Sequence, residues 1–256
     1  MDPTTLEAAA ATHLSHQVTS LQTLHGTDKF TSHLLSPGLA MISPSEYGRK
    51  LNHVVGWGMN GPVQPESLDT LHHLCQQRNT NLEIDLCSHA HPSASSLLTA
   101  NGYSPNGSIN VYAMSLPLAH SNPALASNDP IQITKSHTPT STHSSRPLST
   151  ASAAKAAHQP SSTSSRKVAA SAGMAIVDGI ALLYIDSVLP WARGNGIQRL
   201  LMRARLSDAV ELGCRVAVVE ARPGTASAVN AERVGFELAY VRTTYAHVGL
   251  GAAGAV

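Results

Sequence analysis

A glycine-rich turn at residues 193–196, Arg-Gly-Asn-Gly, is the part of the sequence with the clearest chemical potential. Residues 181–188 precede it and are rich in Leu, Ile and Val, which predicts a strand. Pro190 cannot donate to a sheet ladder and ends that strand, and an apolar pattern of helical period begins at Ile197. Because the first amides of a helix lack partners and the helix dipole adds positive potential, the turn predicts an anion-binding site.

The turn does not match the standard phosphate-binding loops. A Walker loop requires Gly-Lys followed by Ser or Thr, whereas Gly196 is followed by Ile197. A Rossmann turn is also not indicated, because the preceding strand is the second arm of a hairpin. Asp178 and Gly179 predict that hairpin, since this residue pair suits a type I′ turn. The turn alone therefore leaves the anion open.

The elements around the turn alternate between strands and helices. The helix that begins at Ile197 extends to about Leu212, and Gly213 stands where a glycine closes a helix. The other predicted elements are strands over 174–177 and 180–188, a strand over 215–221, a helix over 226–234 ended by Gly235, and one or two strands over 236–245.

A copy of this pattern precedes it in the chain. Both copies have the order turn, helix, strand, helix, Gly-aromatic, strand, which indicates a duplication. In the first copy, residues 82–86 alternate apolar and acidic side chains and predict a half-buried strand. A shift of 133 residues aligns Gly61 with Gly194, residues 82–86 with 215–219, and Gly102-Tyr103 with Gly235-Phe236.

The first copy lacks the features that make the turn an anion site. Pro62 and Val63 stand where the second copy has Asn195 and Gly196. Proline deletes an amide that an anion needs, and valine crowds the close approach that glycine permits. We therefore expect only the second half to hold the anion.

The composition sets the broad class of the protein. A net charge of +1 gives no electrostatic case for binding nucleic acid or an anionic membrane. Three cysteines form no disulfide framework and fit a reducing compartment. No leader sequence or long apolar run is evident. We therefore expect a soluble, cytoplasmic protein, with the nucleus as the alternative location.

Residues 117–167 consist mainly of Ser, Thr, Ala, Pro and His. Such a segment cannot bury enough apolar surface to offset its ordering entropy, so a disordered linker is predicted. The predicted organisation is a poorly ordered N-terminus (1–35), a degenerate first domain (36–116), this linker (117–167), a second domain (168–248) and a flexible tail (249–256).

The combination of features is more specific than the turn alone. The run from Val188 to Gln198 resembles the acetyl-CoA-binding motif of the GNAT-type N-acetyltransferases. The strand that follows, the short helix carrying Asn230, and Gly235-Phe236 are similar to the same family. The resemblance implies an α+β (mixed α/β) fold, with an acyl-CoA N-acyltransferase-like twisted mixed sheet flanked by helices. It also implies two GNAT-like halves, of which the first is degenerate.

The resemblance implies acetyl-CoA as the co-substrate. Its pantetheine arm would lie between two diverging strands along Val188 and Leu189, with Asn230 hydrogen-bonding the arm. Arg193 would shape the loop and add charge. The family usually has Gly or Ala at position 198, so the Gln198 side chain has to turn away or contact the cofactor. The amides expected to hold the pyrophosphate belong to Gly194, Asn195, Gly196, Ile197 and Gln198.

In the reaction that the resemblance implies, an amine attacks the thioester directly, and the enzyme supplies alignment, oxyanion stabilisation and proton transfer. Glu220 is the first candidate base and Asp186 the second, each with the alternative role of a solvated or structural carboxylate. Many family members protonate the leaving thiolate with a tyrosine where this chain has Ala231. Tyr245 or Tyr240 is the candidate substitute, or the thiolate leaves unassisted.

Two functions follow from these observations. The first is an N-acetyltransferase for an amine of a small molecule or a peptide. The second is a catalytically inactive CoA-binding or protein-interaction module, which Ala231 favours. No metal is predicted, because the His and Cys residues within 72–75 and 87–91 match no standard zinc spacing. The acceptor and the oligomeric state have no signal in the sequence.

Overall fold

The computed structural model describes residues 1–26, 29–35, 38–117, 131–139, 150–158 and 167–247. These residues fall into two compact units. The first unit consists of Met1–Asn110 and of the chain from Ala239 onward, and the second consists of Val111–Leu238. The C-terminal segment thus completes the unit in which the chain begins, whereas the predicted boundaries assign it to the second domain.

Helices flank a mixed sheet in the first unit. Its elements in chain order are α1 (Pro3–His25), β1 (Thr31–Leu34), β2 (Leu39–Ile42), β3 (His53–Val55), α2 (Pro65–Arg78), β4 (Glu83–Cys87), α3 (Pro92–Ala100) and the first part of β5 (Tyr103–Ser115). Strands β1, β2 and β3 pair antiparallel in succession, and β3 pairs parallel with β4. Pro65 and Pro92 begin α2 and α3, because proline suits the first helical position. The core of this unit includes Trp57, Leu68 and Ile84.

Helix α1 differs from the predicted poorly ordered N-terminus. The Asp2 carboxylate accepts hydrogen bonds from the N–H groups of Thr4 and Thr5 and so caps the helix. Glu7 is only 1% exposed, and its Oε1 lies 2.6 Å from Nε of Arg242, which is 235 residues further along the chain. This distant ion pair anchors the helix, and a local sequence pattern does not reveal it.

The second unit also combines a mixed sheet with helices. Its further elements are β6 (Ile131–Pro139), β7 (Thr150–His158), β8 (Lys167–Val177), β9 (Ile180–Val188), α4 (Ile197–Glu211), β10 (Val216–Ala221) and α5 (Ala226–Val234). The strand order is β5–β10–β9–β8–β7–β6, and β9 pairs parallel with β10. Asp178 and Gly179, with φ of 48° and 77°, connect β8 to β9, which confirms the predicted hairpin.

Two described strands lie within the predicted linker of 117–167. Strand β7 pairs antiparallel with both β6 and β8. A strand ladder is made by backbone groups, so it forms although this segment has few large apolar side chains, and one of them, Ile133, packs against a core cluster. The other residues of the predicted linker, 118–130, 140–149 and 159–166, lie outside the described residues, and so does the predicted tail of 249–256.

The final strand, β11 (Glu237–His247), belongs to the first unit from Ala239 onward. It is a single strand where one or two were predicted. It pairs antiparallel with β4, with Arg242 opposite Cys87 and Tyr245 opposite Ile84.

The two units share the plan that the repeat predicts. In each, an antiparallel pair leads into a parallel pair: β2–β3–β4 in the first unit and β8–β9–β10 in the second. Helices α2 and α4 precede the last strand of each set, and α3 and α5 follow it. The prediction of two related halves is confirmed.

Candidate functional site

The predicted anion-binding turn lies at the start of α4. Arg193 follows a short 3-10 turn, Pro190–Ala192, and its Nε donates to the carbonyl of Val188 at 3.2 Å. Nδ2 of Asn195 donates to the carbonyls of Ala192 and Arg193 at 3.2 and 3.3 Å. Both side chains therefore bond to backbone carbonyls in and next to the loop.

The two glycines of the turn adopt left-handed conformations. Gly194 has φ of 83° and Gly196 has φ of 71°, values that other residues rarely adopt. Gly196 is the N-cap of α4, and in the described part of the chain no side chain caps this helix. A Cβ at Gly194 would meet no described atom within 4 Å. At Gly196 a Cβ would lie 3.2 Å from Nη2 of Arg199. The turn therefore combines an uncapped helix start with open space at Gly194, which fits a pyrophosphate group.

Strands β9 and β10 diverge beside the turn. Among the described residues, their parallel pairing ends at Leu183 and Val219, although both strands continue. Strand β9 has one residue more than β8 in this region, and Ile185, with φ of 52°, marks the bulge. A bulge bends its strand. The region beyond the last paired residues, Leu183 and Val219, is called here the interstrand groove, and it is where the splay is predicted.

The side chain of Gln198 connects the two sides of the interstrand groove. Its Oε1 accepts from Nδ2 of Asn230 at 2.8 Å, and its Nε2 donates to Oγ of Ser227 at 2.8 Å. The same Nε2 lies 3.4 Å from Oδ2 of Asp186. Asp186 belongs to β9, whereas Ser227 and Asn230 belong to α5, which follows β10. The side chain of Gln198 thus forms its hydrogen bonds with other residues of the protein.

Asp186, the second candidate base, forms a buried ion pair with Arg205 of α4. Its Oδ1 and Oδ2 lie 2.7 and 2.9 Å from the two terminal nitrogens of Arg205. Arg205 is 0% exposed and Asp186 11%. Arg205 also donates to the carbonyls of Gly173 and Leu201 at 2.8 and 3.1 Å. This arrangement favours the structural role for Asp186.

The other candidate catalytic residues are not brought together in one unit. Glu220 is exposed on β10, one residue after Val219, at the start of the interstrand groove. Tyr245 lies on β11 in the first unit and packs against that unit's core. Tyr240 is buried in the first unit, where its hydroxyl donates to Oε1 of Glu7 at 2.7 Å. Burial raises the pKa of Tyr240 far above its usual range, which does not suit an acid catalyst.

The remaining predicted cofactor residues flank the turn. Ile197 is buried and fixes the start of α4 in a core shared with Leu201. Val188 is half-buried, and Leu189 is exposed. The N–H of Leu189 donates to Ala169 and its carbonyl accepts from the N–H of Ala192. Both backbone groups of Leu189 are engaged, and the carbonyl of Val188 accepts from Nε of Arg193.

Three residues of this site were not identified from the sequence: Gly173, Arg205 and Ser227. Arg205 had a signal, because it stands four residues after buried Leu201 on the apolar face of α4. A charged residue in such a face indicates a buried partner. Gly173 lies against the ring of Tyr184, where a Cβ would approach to 3.0 Å. That contact depends on strand register, which the sequence does not state.

Among the residues that the structure describes, no three His, Cys, Asp or Glu side chains converge on a metal site, and no helix is long and apolar enough to span a membrane. Nε2 of His72 lies 3.0 Å from the hydroxyl of Tyr103. Burial raises the pKa of the Cys75 and Cys87 thiols to about 11, so both remain protonated at neutral pH.

Several GNAT proteins of solved structure share this architecture. A GCN5-related N-acetyltransferase from Kribbella flavida is 16% identical, with a TM-score of 0.61 over 94% of this chain and 96% of that one. A tandem GNAT protein from the clavulanic acid biosynthesis pathway is 14% identical, with a TM-score of 0.56 over 82% and 77%. A GCN5-related N-acetyltransferase from Sphaerobacter thermophilus is 15% identical, with a TM-score of 0.56 over 94% and 90%. No family model and no curated protein matches the sequence.

At these identities the likeness is one of fold. The chain has the fold of the GNAT N-acetyltransferases, built as two GNAT-like halves. The predicted α+β class, a mixed sheet flanked by helices, is confirmed.

Proposed function

We propose that the chain is an acetyl-CoA-dependent N-acetyltransferase whose second unit binds the donor. The observation that carries this proposal is the uncapped glycine turn at the start of α4, beside two diverging strands. Amides from Gly194 to Gln198 would hold the pyrophosphate, and the N-terminal end of α4 would add positive potential. The acceptor would be an amine of a small molecule or a peptide.

The corresponding turn of the first unit has no free amide at residues 62 and 63, which supports a single donor site in the second unit. Pro62 has no N–H to offer, and the N–H of Val63 already donates to Oγ of Ser93 at 2.9 Å. At the matching positions of the second unit stand Asn195 and Gly196, each with an amide. We therefore assign the donor to the second unit.

Acetyl-CoA would supply an activated thioester, and the chain would supply alignment and a base. Glu220 is the better candidate for the base, because Arg205 holds both carboxylate oxygens of Asp186. Ala231 is fully buried and offers no acid for the leaving thiolate. Tyr245 stays a prediction for that role. A thiol pKa of about 8.5 also lets the thiolate leave without an acid.

The alternative is a catalytically inactive CoA-binding or interaction module. Two observations favour it: the acid position is Ala231, and Asp186 is committed to Arg205. The enzyme and the inactive CoA-binding module both require CoA binding, and only the enzyme requires turnover.

Calorimetric titration with acetyl-CoA, followed by thiol release in the presence of an amine panel, separates the two. Binding with turnover supports the enzyme, and binding without turnover across the panel supports the inactive module. Absence of binding would refute both. The chain's three cysteines are buried, so they give little background in a thiol assay.

Replacement of Gly196 by Val tests the position of the donor site. The side chain crowds the turn, so binding should fall at least about 100-fold. The matched control is Gly213→Val at the other end of α4, which has φ of 78° and so carries a similar left-handed strain of about 1–2 kcal/mol. The control should lose stability and retain binding. Equal affinity in the two variants would show that the donor binds elsewhere.

A further inference from the structure

The hydrogen bonds of Gln198 cross the interstrand groove at the place assigned to the pantetheine arm. Gln198 belongs to the first turn of α4, directly after the glycine turn. Its partners Ser227 and Asn230 belong to α5, and Asp186 belongs to β9. The side chain therefore links both walls of the groove.

Asn230 is the residue expected to hydrogen-bond the arm, and its Nδ2 is directed to Oε1 of Gln198 at 2.8 Å. Gln198 has one acceptor oxygen and two N–H groups. The oxygen receives Asn230, and the nitrogen donates to Ser227 at 2.8 Å with Asp186 at 3.4 Å. An incoming arm that takes this N–H of Asn230 has to compete with Gln198 for it.

We propose that Gln198, held by Ser227 and Asn230, is a latch across the interstrand groove that the pantetheine arm opens when CoA binds. This inference rests on the proposed donor site. Gln198 then sets the affinity for CoA by opposing it, because only the open form of the groove is competent to bind. The apparent Kd is the intrinsic Kd divided by the fraction of open protein.

Because Asp186 is anchored, opening of the latch involves the bonds on the α5 side of the groove. The Asp186 carboxylate is held by Arg205, which is itself fixed by the carbonyls of Gly173 and Leu201. The β9 side of the groove is therefore joined to α4 by this ion pair. Opening requires loss of the bonds to Ser227 and Asn230, whose side chains are only partly buried.

Replacement of Gln198 by Ala removes the latch and leaves the amide of residue 198 in place for the pyrophosphate. If the latch opposes binding, the Kd for CoA should fall about five- to tenfold, the equivalent of one net hydrogen bond. Ser227→Ala removes the hydrogen bond that the side-chain nitrogen of Gln198 makes to α5. This variant should also lower the Kd for CoA, but by a smaller factor than Gln198→Ala. The matched control is Gln76→Ala, the same change at an exposed position of α2.

Titration of CoA can be followed by the fluorescence of Trp191, which is 49% exposed and lies two residues before Arg193, while Trp57 is fully buried in the first unit. Calorimetry on the same samples checks the Kd independently of this signal. Stopped-flow mixing should also show faster association for Gln198→Ala, since no closed form remains to open.

The outcomes distinguish the latch from the donor site. Tighter and faster binding by Gln198→Ala, with an unchanged control, supports the latch. Wild-type binding with equal or weaker binding by Gln198→Ala overturns it, and weaker binding would make Gln198 a direct CoA contact. Absence of calorimetric binding to both proteins overturns the proposed function and the latch with it.

Discussion

Replacement of Asp186 by Asn tests whether the carboxylate of Asp186 has a structural or a catalytic role. Asn has nearly the same shape and keeps one oxygen, but it removes the charge opposite Arg205. Arg205 is 0% exposed, and its terminal nitrogens lie 2.7 and 2.9 Å from the carboxylate oxygens. The substitution therefore leaves a buried guanidinium without its counter-charge.

Breaking a buried ion pair by removing one partner costs about 3–5 kcal/mol of the free energy of unfolding. The lower end of this range applies here, because Asp186 is 11% exposed and Arg205 keeps its bonds to Gly173 and Leu201. A loss of about 3 kcal/mol corresponds to a fall in Tm of roughly 6–12 °C for a chain of this size. Thermal unfolding followed by circular dichroism measures it.

The double variant Asp186→Leu, Arg205→Met is the control for this reasoning. Replacing both partners of a buried pair by apolar residues of similar volume is often neutral. The double variant should therefore be more stable than Asp186→Asn alone. If Asp186→Asn instead unfolds within about 1 °C of the wild type while turnover falls 100-fold or more, Asp186 is the base and the structural role is wrong.

Two further predictions concern catalysis and pH. Glu220→Gln should lower turnover by at least about 100-fold with little change in the Kd for acetyl-CoA, because it removes a general base. The control Glu211→Gln, at an exposed position, should leave both turnover and Kd unchanged. Unaltered turnover of Glu220→Gln would show that Glu220 is not the base. Burial lowers the pKa of His72, and the charge of His247 lowers it further. The charge of Asp69 opposes both effects but is smaller, so the pKa lies below its usual value. The folded state then binds fewer protons than the unfolded state, so stability should fall as pH drops below about 6.5. His72→Phe should flatten this slope between pH 7.5 and 5.5 in urea unfolding, whereas His73→Phe at the exposed neighbouring position should not; equal slopes in both variants would contradict the assignment.

The elements that the sequence predicts well are those with local determinants. Helix α5 spans Ala226–Val234 as predicted, because Thr225 caps its start and Gly235 adopts the left-handed conformation at its end. The hairpin at Asp178-Gly179 is equally local. Caps and two-residue turns act within a few residues, so their signals are complete in the sequence.

The features that the sequence misses depend on distant partners. Residues 82–86 alternate as a half-buried strand does, yet Asp85 of β4 is buried, where it accepts from the hydroxyl of Thr244 at 2.7 Å and pairs with Arg49. An alternating pattern shows which side chains are polar. It does not show that a residue distant in the sequence forms hydrogen bonds to such a side chain and so allows it to be buried. The ion pairs of Glu7 with Arg242 and of Asp186 with Arg205 were missed for the same reason.

The halves differ in how they use the amides of matching turns, and this difference bears on function. In the first unit Pro62 has no N–H, and Oγ of Ser93 accepts the N–H of Val63 at 2.9 Å. In the second unit the turn ends at Gly196, whose helix has no side-chain cap in the described residues. Helix α2 also begins without a side-chain cap, so the two halves differ in the turn before the helix and not in the cap. The turn of the second unit keeps the amides of Asn195 and Gly196, where the first unit has a proline and an N–H bonded to Ser93. The second unit is therefore the half in which we expect a ligand.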